Sequence, residues 1–180
     1  SLFRRVHHHI VGNNEAAVMA VAQTASEAGL RTLVHRPALT GEARDEGQRF
    51  GALARSIVRS GKPLQRPCCV VAGGETTVTV TGKGAGGRAQ EFAVAAALEI
   101  AGLAKVWVVA FGTDGTDGPT DAAGAVLDGS TVARAQRLSV DLKGALKRHN
   151  TYPALKRLNQ LIMTGPTGTN VNDLYLLLVL

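Results

Sequence analysis

Three aspartates lie close together in one glycine-bearing loop, at Asp114, Asp117 and Asp121. Carboxylates this close repel one another unless a cation or hydrogen-bond donors compensate their charge. In proteins, Mg²⁺ usually binds one or two carboxylates together with substrate phosphates. We therefore interpret Asp114 and Asp117 as catalytic residues that are Mg²⁺ ligands or accept a proton from the substrate. The alternative is a turn in which the aspartates cap their own backbone and the next helix, and Asp121 fits that alternative best.

A second candidate site is the glycine-rich stretch 82–87, which precedes a predicted helix. Glycines let backbone N–H groups approach an anion, and the N-terminus of a helix attracts negative charge. We assign four residues of this stretch to phosphate or substrate binding: Lys83, Gly84, Gly86 and Gly87. Arg88 follows directly and is interpreted as catalytic, because a guanidinium can bind a carboxylate or phosphate through two parallel hydrogen bonds.

Two other interpretations of the glycine-rich stretch remain open. It is either a tight structural turn or, since it matches G-x-G-x-x-G, a dinucleotide-binding loop. The dinucleotide interpretation fits less well, because residues 76–81 are predicted to form a strand in a hairpin, whereas such a loop follows a parallel strand. The acidic residue expected about 20 positions later is also displaced, since Asp114 lies further along the chain.

Residues 164–170 form a third polar loop, with Thr167, Thr169 and Asn170 as candidate substrate-binding residues. Their hydroxyl and amide groups could orient a polyol or a phosphate, or the loop could simply connect two strands. Glu75 is a further candidate, because it could pair with one of the basic residues and fix the glycine-rich stretch.

Strands and helices that alternate along the chain must position these loops. The predicted strands are residues 6–11, 32–35, 68–72, 76–81, 105–111, 161–163 and 173–180. The predicted helices are residues 15–28, 41–60, 88–101, 130–138, 142–149 and 151–158. The unbroken apolar run 106–111 is typical of a strand buried on both faces. This order predicts an α/β fold with three layers.

Composition excludes several classes of protein. The net charge is +6, but the basic residues are scattered and only 4% of residues are aromatic, so a nucleic-acid-binding surface is not predicted. The sequence lacks an apolar run long enough to span a bilayer and a signal-peptide pattern, so a cytoplasmic protein is expected. Cys68 and Cys69 are neighbours on a predicted strand and point to opposite faces, which argues against a disulfide between them.

Taken in order, these motifs resemble the glycerate 2-kinase family, whose carboxy-terminal portion is the MOFRL domain. The resemblance covers nearly the whole chain and includes the glycine-rich stretch, the aspartate loop and the polar loop. The matching stretches are 8–14, 73–80, 82–84, 86–88, 90–91, 112–115, 117–124 and 164–173. One departure is Ala89, where the family commonly has asparagine.

The resemblance implies phosphoryl transfer from ATP, with Mg²⁺, to the 2-hydroxyl of D-glycerate, giving 2-phosphoglycerate. It also implies a mixed sheet with helices on both faces. Residues 66–180 would form the MOFRL domain, and residues 1–62 would be a βαβα remnant of a larger, Rossmann-like amino-terminal domain. Without that domain the chain is expected to be inactive. A homodimer, an NAD(P)H-dependent hydroxypyruvate reductase and a non-catalytic ligand-binding or interaction domain remain alternatives.

Overall fold

A computed structural model describes residues 6–7 and 9–180 of the chain. In these residues six strands form one mixed sheet, and six helices pack around it. The strands are β1 (Arg31–Val34), β2 (Cys68–Gly74), β3 (Val106–Gly112), β4 (Gly124–Asp128), β5 (Leu161–Ile162) and β6 (Asp173–Val179). The helices are α1 (Asn14–Glu27), α2 (Ala43–Ser60), α3 (Arg88–Glu99), α4 (Thr131–Arg137), α5 (Leu142–Lys147) and α6 (Thr151–Leu158).

The sheet has the strand order β1-β2-β6-β3-β4-β5. Only β1 and β2 pair in parallel, and every other neighbouring pair is antiparallel. The last strand of the chain, β6, therefore lies between β2 and β3 in the middle of the sheet. This insertion places the start of β6, at Asp173, beside the end of β3, at Gly112.

Helices lie on both faces of the sheet. Helix α1 packs on β1 and β2 on one face, while α3 packs on β3 and β4 on the other. Helix α2 lies against α3 at very short range, because Gly47 and Gly51 leave no side chain between the helices. Buried alanines of α3 allow the same close approach from the other side. The prediction of an α/β fold with a mixed sheet and helices is confirmed.

Two predicted strands are absent from the described residues. The first, residues 6–11, forms no strand at its described positions, and His8 lies outside the described residues. The second, residues 76–81, runs in an irregular path beside the start of α2. There Ala43 N–H donates to the Thr77 carbonyl at 2.8 Å, and the Thr79 hydroxyl donates to Glu42 at 3.0 Å. The alternating residues of this segment thus pair with a helix terminus instead of a sheet edge.

Strand β3 also differs from the sequence prediction, because it is not buried on both faces. Val106, Val108 and Ala110 are buried beneath α3, whereas Trp107 and Val109 on the opposite face are only partly buried. Helix α1 covers only part of that face. Strand β4 was not predicted, because five residues give only a short and ambiguous apolar pattern.

Residues on both sides of the predicted domain boundary at about residue 62 belong to one structure. Strand β1 pairs with β2 in register from Arg31 with Cys68 to Val34 with Val71, and α2 packs on α3. The division of the chain into residues 1–62 and 66–180 stays a prediction. No helix among the described residues is long and apolar enough to cross a membrane.

Candidate active site

Arg88, the first residue of α3, is held by two carboxylates. Its Nε donates to Asp173 Oδ2 at 2.6 Å and its Nη2 donates to Asp173 Oδ1 at 3.0 Å. Its Nη1 donates to Glu75 Oε1 at 2.8 Å. Burial raises the pKa of Asp173, while the hydrogen bonds and charge of Arg88 oppose that rise. The prediction that Glu75 pairs with a basic residue agrees with this geometry.

Asp173 is itself supported from behind. It is 1% exposed, and Tyr175, two residues further along β6, donates its hydroxyl hydrogen to Asp173 Oδ2 at 3.0 Å. The Tyr175 oxygen also lies 3.0 Å from Thr76 Oγ1. Burial raises the pKa of Tyr175, so its hydroxyl stays protonated and remains a donor. Since three of the five guanidinium N–H groups of Arg88 are engaged, the other two are left for a ligand.

Asp117 caps the N-terminus of α3. Its Oδ1 accepts from Ala89 N–H at 3.0 Å and its Oδ2 accepts from Gln90 N–H at 2.9 Å. Burial raises the pKa of Asp117 to about 6, although the two N–H donors oppose the rise. A carboxylate of the chain therefore occupies these two N–H groups, while the anion-binding role predicted for residues 82–88 stays a prediction. Asp117 adopts the capping alternative, and its two oxygens do not fit the predicted role of Mg²⁺ ligand.

The glycine-rich stretch packs tightly against the turn between α5 and α6. A Cβ at Gly84 would overlap the carbonyl oxygen of Arg148, and a Cβ at Gly86 would overlap the hydroxyl of Thr151. A Cβ at Gly87 would overlap the Asp117 carboxylate. Ala85 N–H donates to Asn150 Oδ1 at 3.0 Å. Close packing within the chain thus accounts for these glycines, and the segment before them is no strand, which removes the basis of a dinucleotide-binding loop.

Asp114 lies against the polar loop 164–172. The Thr167 N–H donates to the Asp114 carbonyl at 3.1 Å, and Asn170 Nδ2 lies 3.4 Å from Asp114 Oδ2. Asp114 Oδ1 accepts from the Thr116 N–H at 3.0 Å. Thr169 contributes its backbone, since its N–H donates to Thr167 Oγ1 at 3.3 Å. The structure therefore brings together Asp114, Thr167 and Asn170.

Gly112 connects this aspartate with the arginine site. Asp114 Oδ1 and Asp173 Oδ1 lie 3.1 Å and 3.5 Å from the position that a Cβ on Gly112 would occupy. The two carboxylates therefore approach the same point at the end of β3. Among the described residues, no group of three or more His, Cys, Asp or Glu side chains is arranged to hold a metal ion. Of the two predicted Mg²⁺ ligands, Asp114 has one carboxylate oxygen, Oδ2, that makes only a single long hydrogen bond among the described residues.

A cleft of about 770 Å³ opens beside the start of α3. Five of the predicted site residues line it: Glu75, Gly84, Gly86, Gly87 and Arg88. Lys83 lines a neighbouring hollow instead. Asp117 is buried behind the cleft, and the Asp114 cluster lies beyond Gly112, so neither aspartate lines the cleft.

The sequence-based site omitted a buried ionic group on the cleft wall. Glu91 Oε1 lies 2.8 Å from His149 Nδ1, and the side chains are 1% and 5% exposed. Arg44 Nη2 lies 3.6 Å from Glu91 Oε2, and His149 Nε2 lies 3.2 Å from Thr81 Oγ1. Burial raises the pKa of Glu91, which His149 and Arg44 oppose.

The sequence contains a signal for two of the omitted residues. Glu91 is a charge inside the first turn of an otherwise apolar, alanine-rich helix, and Asp173 is a charge at the start of an apolar strand. Each is costly to bury without a partner. His149 gave no comparable signal, because it follows the basic residues Lys147 and Arg148 in the sequence.

Comparisons with known proteins agree with this architecture. The chain is 43% identical to the glycerate 2-kinase of Pyrococcus horikoshii over 97% of its own length and 40% of that protein. It is 38% identical to an Agrobacterium vitis protein whose provisional name is hydroxypyruvate reductase, over 94% of its own length and 45% of that protein. The crystal structure of a Thermotoga maritima glycerate kinase superposes with a TM-score of 0.95 at 40% identity.

That superposition covers 97% of this chain and 42% of the Thermotoga chain, so this chain spans less than half the length of each of these proteins. The sequence model of the MOFRL family matches residues 68–173, from the first residue of β2 to the first residue of β6. This stretch includes the cleft-lining glycines, Arg88, the aspartate loop and Asp173, and it is more than half of the chain. The chain belongs to the MOFRL family.

Proposed function

We propose that this chain is the carboxy-terminal portion of a glycerate 2-kinase, which transfers the γ-phosphoryl group of ATP to the 2-hydroxyl of D-glycerate. The observation that carries the proposal is an oriented arginine, Arg88, in a cleft of a chain that closely resembles two proteins named as glycerate kinases. Phosphoryl transfer requires mainly that charges are neutralised and that the reacting oxygens are aligned, which suits such a site.

Arg88 binds the carboxylate of glycerate. Its two unengaged N–H groups can donate parallel hydrogen bonds to a carboxylate, while Asp173 fixes the plane of the guanidinium from behind. Glu75 is the competitor, because it neutralises the same guanidinium and its side chain is 51% exposed. An exposed carboxylate can move into water at little cost, so glycerate displaces Glu75 and leaves the buried Asp173 in place.

Asp114 and the polar loop lie beyond Gly112, outside the cleft, and are the proposed metal-binding part of the site. Asp114 alone would supply the protein contact to a Mg²⁺ ion, since both oxygens of Asp117 cap α3, and the ion would neutralise charge on the transferred phosphoryl group. Thr167 and Asn170 contact Asp114 and restrict its position, and Thr169 in turn contacts Thr167. Asp117 contributes indirectly, because it fixes the helix start from which Arg88 projects.

A larger amino-terminal domain completes the site. The chain matches 40–45% of the length of its relatives, and the cleft is open to solvent beside Val80, which is 63% exposed. We propose that residues 1–62 are the Rossmann-like tail of that domain, that residues 66–180 are the MOFRL domain, and that the chain alone is inactive. The parallel pairing of β1 with β2 would then join the two domains rigidly.

The experiment is a coupled assay with D-glycerate, ATP and Mg²⁺, on the chain alone and joined to the amino-terminal domain, with identification of the phosphoglycerate by NMR. We expect 2-phosphoglycerate from the joined protein only. NADH-dependent reduction of hydroxypyruvate without phosphoryl transfer would establish a reductase instead. A folded, joined protein with neither activity would point to a non-catalytic domain.

A further inference from the structure

A second cavity lies next to the cleft and has a different charge. This hollow, of about 410 Å³, contains three cationic side chains, from Lys83, Lys147 and Arg148, and none of the described residues that line it is a carboxylate. Among the described residues, the only carboxylate paired with any of the three is Asp141, 3.5 Å from Arg148, and both side chains of that pair are about two-thirds exposed. Such an exposed pair contributes little and is easily exchanged. The described carboxylates therefore leave most of the positive charge of the hollow without a partner.

Fixed backbone segments hold the three cations. Lys147 ends α5, and Arg148 follows it as the C-cap residue. The next residue, His149, is buried against Glu91, which anchors this end of α5 to α3. Across the hollow, Lys83 belongs to the stretch that Asn150 holds through Ala85 N–H at 3.0 Å. The negative end of the α5 dipole can account for Lys147 and Arg148, but not for Lys83 on the opposite wall.

The hollow and the cleft are neighbours. Gly84 lines both, and the wall between them includes Thr81, whose hydroxyl lies 3.2 Å from His149 Nε2. Gly84 has no side chain, and a Cβ there would overlap the carbonyl oxygens of Arg148 and His149. A ligand in the hollow would therefore lie beside the cleft that Arg88 lines. In phosphoryl transfer the two substrates must occupy such adjacent positions.

We propose that the hollow binds the triphosphate group of the nucleotide through Lys83, Lys147 and Arg148, while the cleft binds the hydroxy acid. The proposal rests on the proposed kinase function, but it concerns binding and uses only residues of this chain. A triphosphate carries several negative charges along a short chain of atoms, which matches three cations around one hollow. Ammonium groups act as point charges toward phosphate, and the guanidinium adds a directed contact.

The test is isothermal titration calorimetry of the chain with inorganic triphosphate, and then with ATP, at low and moderate salt. The informative variant is Lys147→Gln, and its matched control is Lys143→Gln, which removes the same charge from the same helix outside the hollow. We expect Lys147→Gln to weaken triphosphate binding about five- to tenfold and Lys143→Gln to change it less than about twofold. Added salt should weaken binding to the wild-type chain.

Three results would overturn the proposal: no binding of triphosphate at low salt, equal weakening by the two variants, or full binding by a folded Lys147→Gln chain. The result is separate from that of the kinase assay. If triphosphate binding depends on Lys147 but the joined protein cannot phosphorylate glycerate, the triphosphate site is supported and the kinase function is contradicted. If the Lys147→Gln protein phosphorylates glycerate with an unchanged KM for ATP, the kinase function is supported and the triphosphate site is contradicted.

Discussion

Arg88 and Asp173 form a two-bonded ion pair across 85 positions of the chain, with Nε–Oδ2 at 2.6 Å and Nη2–Oδ1 at 3.0 Å. The pair joins the start of α3 to the start of β6, so it fixes a side chain that faces the cleft and also connects two core elements. Its carboxylate is 1% exposed, whereas the second partner of Arg88, Glu75, has a side chain that is 51% exposed. The two carboxylates should therefore respond differently to substitution.

Asp173→Asn should destabilise the fold more than Glu75→Gln. The first change weakens charge-assisted hydrogen bonds to a buried group and should cost about 2 kcal/mol, while an exposed pair contributes less than about 1 kcal/mol. Urea unfolding of each variant measures its loss of free energy of unfolding, provided that the slope of this free energy against urea concentration stays the same as in the wild type. Equal losses for the two variants would contradict the assignment of Asp173 as the principal partner.

Arg88→Lys should reduce activity although it keeps the positive charge. Lysine cannot make the two parallel bonds to Asp173 and still present two N–H groups to a carboxylate. We expect kcat/KM for glycerate in the joined protein to fall about a hundredfold, with circular dichroism unchanged. The matched control is Arg137→Lys, at the exposed end of α4, which should behave like the wild type. Undiminished turnover by Arg88→Lys would remove the guanidinium fork from the mechanism.

Asp117→Asn should change how stability depends on pH. Burial raises the pKa of Asp117 to about 6 in the folded chain, from an ordinary value of 3.8. The folded state thus holds a proton that the unfolded state has released, and this contribution to stability falls as pH rises from about 4 to 6. The wild type should lose about 3 kcal/mol relative to Asp117→Asn over that range. Urea unfolding of both proteins at several pH values measures the difference in their free energies of unfolding. If that difference is constant between pH 4 and 7, Asp117 does not have the buried, capping role.

Asp114→Asn should raise the Mg²⁺ concentration needed for half-maximal activity in the joined protein. The substitution removes the charge of Oδ2, the oxygen that keeps only a 3.4 Å contact to Asn170. We expect an increase of about tenfold, since magnesium prefers charged oxygen ligands. Asp121→Asn is the control, because Asp121 accepts a hydrogen bond from Tyr152 at 2.6 Å and has no proposed role in the reaction. An identical magnesium dependence in Asp114→Asn and wild type would exclude Asp114 as a ligand.

Gly84→Ala should destabilise the chain, because its Cβ would overlap the carbonyl oxygen of Arg148. Forcing a methyl group into a packed position costs about 1–3 kcal/mol. The control is Gly12→Ala, where a Cβ would meet nothing within 4 Å and should leave stability unchanged. Thermal unfolding compares the two variants. If Gly84→Ala unfolds at the wild-type temperature, the stretch 82–87 is free to move and the described packing is wrong.

The sequence by itself determined the α/β class, most of the helices and the order of the three polar loops, since apolar periodicity and glycine or proline positions are local properties. It also predicted that Glu75 pairs with a basic residue, which the structure shows to be Arg88. The strand predicted at residues 76–81 was wrong. These residues alternate between polar and apolar types as a strand does, but their polar groups bind the start of α2 instead of a neighbouring strand.

Only the tertiary structure decided what each carboxylate does. Asp117 resembled a metal ligand in the sequence, but the start of α3 lies within hydrogen-bond distance of it, and a helix N-terminus is the strongest nearby source of unpaired N–H donors. Asp173 became the partner of Arg88 because β6 inserts between β2 and β3 in one particular register. Glu91 and His149 are in contact because α3 and the α5–α6 turn form walls of the same cleft. These contacts join positions 27 to 85 residues apart. Their energies depend on burial and distance, which a linear pattern of residue types does not specify.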